Sequence, residues 1–90
     1  MPELTFEIWA DETGHSMWLV HPQNDKARPS VEPRAVLMHS FTATSSFEAF
    51  RLNNAWHGYA PWEPSEGVHD HLFTEEEAEE QRDYMSRRVF

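Results

Sequence analysis

Residues 69 to 71, His-Asp-His, have the side chains of a metal site. In an extended segment the two imidazoles, two residues apart, point to one side and Asp70 to the other. A tetrahedral zinc site needs at least three protein ligands, and Glu66, His57 and His15 are the residues from which a third would have to come. Loop histidines more commonly serve as polar surface or as hydrogen-bonded ring packing, which makes metal the minority reading. The stretch from 56 to 71 is read as a recognition loop anchored by Trp56, with a metal site at His69 and His71 as the lesser alternative.

Just upstream, Tyr59-Ala60-Pro61-Trp62-Glu63-Pro64 sets two large rings on a backbone stiffened by proline. Tyr and Trp are enriched at interface hot spots, and a stiff loop loses little entropy when it makes contact. The same rings could instead cap the open end of a thin core. Both uses are compatible if one ring is buried and one exposed, and Trp62, beside the prolines, is expected to be the exposed one.

Other chemistries lack their residues. Cysteine is absent, and no serine lies in a nucleophile-elbow context. Three glycines, at positions 14, 58 and 67, cannot build the familiar phosphate-cradling loops. The carboxylates of Glu75-Glu76-Glu77-Ala78-Glu79-Glu80 read as a solvated helical face. The chain is therefore expected to be no enzyme, with no catalytic residues and no cofactor; zinc at His69 and His71 is the alternative.

Charge narrows the choice of partner. Residues 1 to 60 hold seven acids and four bases, residues 61 to 90 nine acids and three bases, and the formal net charge is −9. Such a chain repels nucleic-acid backbones, although it could occupy a nucleic-acid site on another protein. Without cysteine there is no disulfide framework, so a reducing compartment is the default. The N-terminal segment lacks a basic stretch followed by an apolar run, and no stretch approaches a membrane span. A cytoplasmic protein that contacts neither nucleic acid nor membrane is expected.

The elements that must position these residues fit a single domain over 1 to 90. Its 90 residues bury a thin core, which six Phe, four Trp and two Tyr compensate. Residues 4 to 10 alternate, with Leu4, Phe6 and Ile8 on one face and Thr5, Glu7 and Trp9 on the other, and residues 15 to 21 form a second strand after a four-residue connection ending in Gly14. Three prolines in 22 to 34 leave room for at most a short turn of helix around Asp25 to Arg28. Residues 35 to 43 are apolar on both parities in their first half, as in a central and well-protected strand.

Ser45 with Glu48 forms a capping box for a helix that ends at Gly58. Its apolar stripe is Ala49, Leu52 and Trp56 with Phe50 on the shoulder, which puts Trp56 in the core. A loop then covers 59 to 73. Thr74 with Glu77 caps a second helix over 75 to 88, with Phe73 against Ala78 as a hydrophobic staple. That helix has a weak apolar stripe, Ala78, Met85 and Val89, interrupted by Gln81, so it is either solvated or docked on something outside the chain. The fold expected is α+β: a three-stranded antiparallel sheet packed by one helix (βββα, residues 1 to 58), the aromatic and proline-bearing loop, and the acidic C-terminal helix (74 to 90).

Residues 4 to 50 resemble the N-terminal half of HicB-like antitoxins. The hairpin FEIWADETGHSMWLV is turned by an acidic-glycine segment, and a third strand leads into a capped helix at SSFEA, with Ser45, Glu48 and Ala49 in the matching places. The family's aromatic-proline-aspartate segment is replaced by HPQNDKARPSVEP, and TEEEAEEQRDYMSRR is too acidic for its DNA-binding element. The resemblance implies a protein that inhibits by covering another protein's active surface, and does not imply operator binding.

These readings converge on a protein-binding module, an accessory subunit or small inhibitor of a larger protein or complex. Its contacts are expected at Tyr59, Trp62, Phe73, Met85 and Phe90. An alternative is a nucleic-acid mimic, with Glu75, Glu76, Glu77, Glu79, Glu80 and Asp83 standing in for phosphates.

Overall fold

The computed structural model describes residues 1–89. In chain order it contains β1 (Leu4–Asp11), β2 (Gly14–Leu19), α1 (Pro22–Val31), β3 (Val36–Ala43), α2 (Ser46–His57) and α3 (Glu75–Ser86). The strands form one antiparallel sheet in the order β2-β1-β3, so the α+β class and the three-stranded sheet are as expected. The hairpin is tighter than the sequence suggests. Asp11 pairs with Gly14, leaving Glu12 and Thr13 as the loop, and the positive φ of 142° falls on Gly14, where no Cβ resists it. The Asp11 carboxylate accepts from the Thr13 N–H (2.8 Å) and hydroxyl (2.6 Å).

β1, not β3, is the central and best-protected strand. Its two faces are both covered, with Leu4, Phe6 and Ile8 buried on one and Glu7 and Trp9 on the other. β3 is an edge, and Val36, Leu37 and Met38 are exposed. The cause of the misreading is local. Ile8 pairs with His39 but Trp9 with Leu37, so Met38 is an extra, bulged residue. The bulge breaks the two-residue alternation, which is why this stretch is apolar on both parities without being buried on both faces.

The first face of the sheet carries the core: Leu4, Phe6 and Ala43, with Met17, Leu19 and Phe41 at its margin. Phe6 stacks on Phe41 with centroids 5.7 Å apart and meets Phe73 at 5.9 Å. Ala49 of α2 and Ala78 of α3 complete this cluster. Small residues there let both helices approach the strands closely.

α1 runs for ten residues, through a segment in which the sequence suggested at most one turn. Two of its prolines are in tolerable places. Pro22 begins the helix, where its absent N–H has no intrahelical role, and Pro33 lies beyond the end. Pro29 is inside, and tertiary contacts offset its cost: Glu32 accepts from the Ser16 hydroxyl (2.7 Å) and the Trp18 indole N–H (2.8 Å), and Arg28 lies 3.4 Å over the Trp9 ring centroid. These bonds hold α1 on the second face of the sheet.

α3 is docked within the chain through polar residues, and it ends at Ser86, two residues short of the expected limit. Gln81, which interrupts the apolar stripe, accepts from the Thr5 N–H (2.7 Å) and donates to the Thr5 and Val20 carbonyls (both 3.0 Å). It thereby continues the hydrogen bonding of β1 where β2 stops. Beyond the helix, Arg88 reaches the second face and bonds both Glu7 oxygens at 2.7 Å and both Asp25 oxygens at 2.7 and 2.8 Å. Tyr84 donates to Asp25 as well, and the Trp9 indole donates to Glu7 at 3.1 Å. The Arg88 and Glu7 side chains are only 5% and 6% exposed. Among the described residues, no helix is long and apolar enough to cross a membrane.

Candidate recognition groove

The stretch after α2 owes its path to the end of that helix. Gly58 is left-handed at φ 76°, the conformation that ends helices and that glycine adopts without strain. Its N–H donates to the Ala55 carbonyl at 3.1 Å, and the Tyr59 N–H to the Asn54 carbonyl at 2.9 Å. The Asn54 amide donates to the Ala60 carbonyl at 3.3 Å. These bonds turn the chain so that Tyr59 lies against the helix end, its ring stacked on His57 at 4.7 Å and 12°.

Beyond Pro61, Trp62 lies back along α2. Its ring meets Phe47 edge-on at 5.1 Å and lies over Phe50 at 4.9 Å. Trp62 is therefore half-buried rather than the exposed ring, and Tyr59, 60% exposed, takes that part. The physical reason is the unused flank of α2: Phe47 and Phe50 do not face the sheet, so the loop supplies Trp62 to cover them. Between the two braced rings lies a groove of about 410 Å³, lined by Arg51, Ala55, Tyr59, Pro61, Trp62 and Glu63. Among the described residues, no hydrogen bond reaches the Tyr59 hydroxyl or the Trp62 indole N–H.

No family model, curated protein or solved structure matches the chain.

Trp56 is not in the core. It is 39% exposed and lies at the sheet margin, stacked on His39 at 5.2 Å and 9°, with His15 and His57 meeting it edge-on. Leu52 and Phe50 of the expected stripe are exposed to a similar degree, and only Ala49 of α2 is fully buried. Desolvation, reinforced by the neighbouring His15, holds the His57 imidazole below its usual pKa, which favours a neutral ring under Tyr59.

The far end of the loop is fastened to the N-terminus of α2. Asp70 accepts from the Phe47 N–H at 2.9 Å and from its neighbour His71 at 2.8 Å. Desolvation alone would raise the Asp70 pKa, but the Phe47 N–H, the Ser45 side chain, the His71 N–H and the Arg51 charge together outweigh it and hold the carboxyl below its usual value. Ser45 and Leu72 form an isolated bridge, closed by Ser46 N–H to the His71 carbonyl and Phe73 N–H to the Thr44 carbonyl, each 3.0 Å. Ser45 caps α2 as expected, but Glu48 returns its carboxylate to the Thr44 N–H (2.7 Å), one residue earlier than in the usual capping box.

His71 Nε2 lies 3.0 Å from both Glu77 oxygens. Glu77 also closes the capping box at Thr74, accepting its N–H at 2.9 Å. The bond with His71, followed by that from Thr74, holds the Glu77 carboxyl below the usual range. His69 is exposed, and among the described residues no group of three or more His, Cys, Asp or Glu is placed to hold a metal ion.

Of the remaining residues expected at a contact surface, Phe73 is 8% exposed and belongs to the core, where it works as the staple with Ala78. Met85 is 39% exposed, and Phe90 lies outside the described residues. Glu75, Glu76, Glu79, Glu80 and Asp83 are solvent-facing on α3, while Glu77 is half-buried and already engaged. Arg51, Ala55 and Glu63 are groove residues that the sequence did not single out as contacts, and Arg51 is the one that carries a cation. Arg51 and Ala55 stand one helical turn apart on α2 and so share a face, but which face the loop covers follows only from the fold.

Proposed function

We propose that this chain is a protein-binding module, an accessory subunit or small inhibitor, whose recognition element is the groove between Tyr59 and Trp62. One observation carries the reading: two aromatic rings are braced from behind by His57, Phe47 and Phe50, while their front edges and polar tips remain open. Rings held in this way lose little freedom on contact, and desolvated Tyr and Trp dominate interface energetics. The solvent-facing carboxylates of α3 would orient an approaching partner rather than form the contact.

The test is native mass spectrometry on the protein recovered gently from its own host, with wild type and Tyr59→Ala handled in parallel. Tyr59 is exposed, so its truncation leaves the core intact. A defined heavier complex that the variant loses is the expected result. An identical complex with both proteins would overturn the reading.

A second reading rests on the exposed carboxylates of α3, which recur at four-residue spacing at Glu75 and Glu79 and at Glu76 and Glu80. They would stand in for phosphates on a nucleic-acid enzyme. Such a complex would weaken steeply with salt and would be indifferent to Tyr59.

A further inference from the structure

The proposed recognition surface has a marked imbalance of polar groups. Its lining side chains bring two pure donors, the Arg51 guanidinium and the Trp62 indole N–H, against a single carboxylate at Glu63, while the Tyr59 hydroxyl can donate or accept. A ligand segment that buried backbone N–H groups here would leave most of them unpaired, at about 1–3 kcal/mol each. Proline alone among residues carries a backbone carbonyl and no N–H.

Shape and entropy agree with that chemistry. The groove is bounded by Tyr59 and Trp62, with Ala55 the smallest of its lining side chains. Polyproline II segments present carbonyls and apolar rings on a helix of three residues per turn that needs no internal hydrogen bonds, and aromatic-lined grooves receive them with little ordering cost. Phosphate-bearing ligands are opposed by a net charge of −9.

Charge specifies a second feature of the ligand. Glu63 is the one acidic side chain in the lining, and it accepts a charge-assisted bond from a guanidinium or ammonium. We infer that the groove binds a proline-rich segment in the polyproline II conformation carrying an adjacent arginine or lysine, with the prolines between Tyr59 and Trp62 and the cation at Glu63. This rests on the recognition reading above and names the partner's chemistry.

The experiment is a titration of the ¹⁵N-labelled full chain with a synthetic ten-residue peptide containing two proline pairs and one arginine. Controls are the same peptide with alanine for proline and with norleucine for arginine. The readout is the set of indole N–H resonances of the four tryptophans, with that of Trp62 assigned by its loss in Trp62→Phe. The Trp62 resonance is expected to shift and saturate while those of Trp9 and Trp18 stay fixed. Affinity should fall at least tenfold with the alanine peptide and with Tyr59→Ala. Glu63→Gln should weaken the arginine peptide severalfold and leave the norleucine peptide unchanged.

No shift at about 1 mM peptide, the edge of weak binding, or equal shifts with the alanine peptide, overturns the inference. If the peptide fails while Tyr59→Ala still strips the complex recovered from the host, the ligand class is wrong and the recognition reading stands. If Tyr59→Ala leaves that complex intact, the reading fails and the inference with it.

Discussion

Gln81 and Arg88 show how much of this fold depends on polar side chains acting as core. A pattern of apolar positions treats Gln81 as a flaw in the α3 stripe, so Gln81→Leu would be expected to improve it. The hydrogen bonds give the opposite sign. Leucine would leave the Thr5 N–H and Val20 carbonyl without their partner at the end of β2, which costs about 1–3 kcal/mol. Urea denaturation of Gln81→Leu should show that loss, whereas a gain in stability would restore the apolar-stripe account. Arg88→Met removes the cation between Glu7 and Asp25 and leaves two carboxylates facing each other near Trp9. Breaking a buried pair on one side costs about 3–5 kcal/mol, and the same denaturation measurement checks it. The direction of the Arg88 pKa, raised by the Glu7 hydrogen bonds above all, agrees with a cation held in its charged form. Neither residue's role was legible in the sequence, because the partners of both lie more than sixty positions away, in the first third of the chain.

Elements marked by local chemistry were legible, and those that depend on distant contacts were not. The hairpin, the caps at Ser45 and Thr74 and the left-handed Gly58 follow from residue types within a few positions of one another. α1 did not follow, because its stability resides in Glu32 and Arg28 meeting Ser16, Trp18 and Trp9 across the fold. The order of the sheet was hidden by one bulged residue. For the candidate site, Tyr59 and Trp62 were found from composition, but which of them is exposed depended on the free flank of Phe47 and Phe50. The fastening of the loop yields a pH prediction at this scale. Asp70 and Glu77 both have folded pKa values below the ordinary 3.8 and 4.5 of their side chains. Their contribution is therefore fully present above those unfolded values and is lost as pH falls through the lower folded ones, since the unfolded chain then binds more protons. Hydrogen exchange between pH 6 and 3 should show protection lost first at the Phe47 and Thr74 amides. Glu77→Gln should flatten the response at Thr74 and leave that at Phe47 in place. Simultaneous loss at every amide would mean that the loop and the N-terminus of α3 do not open separately.

At the scale of the whole molecule, the acidic surface and the aromatic groove do different work if the proposed function holds, and kinetics can separate them. The exposed carboxylates of α3 act through a field that extends over roughly 8–10 Å at ordinary ionic strength. That field changes the rate at which partners meet and hardly affects the bound state. The groove acts only in contact, where truncating a central aromatic side chain of an interface costs about 2 kcal/mol or more and is felt mainly in dissociation. Reversing two exposed charges, Glu79→Lys with Glu80→Lys, should slow association with the isolated partner severalfold at low salt, make it less dependent on salt and leave dissociation unchanged. Tyr59→Ala should do the reverse, speeding dissociation about tenfold or more while association stays within a factor of about two. Surface plasmon resonance with both variants across a salt series measures each rate directly. If the charge reversal instead accelerates dissociation as strongly as Tyr59→Ala, α3 is part of the contact, and the phosphate-mimic reading gains what the groove loses.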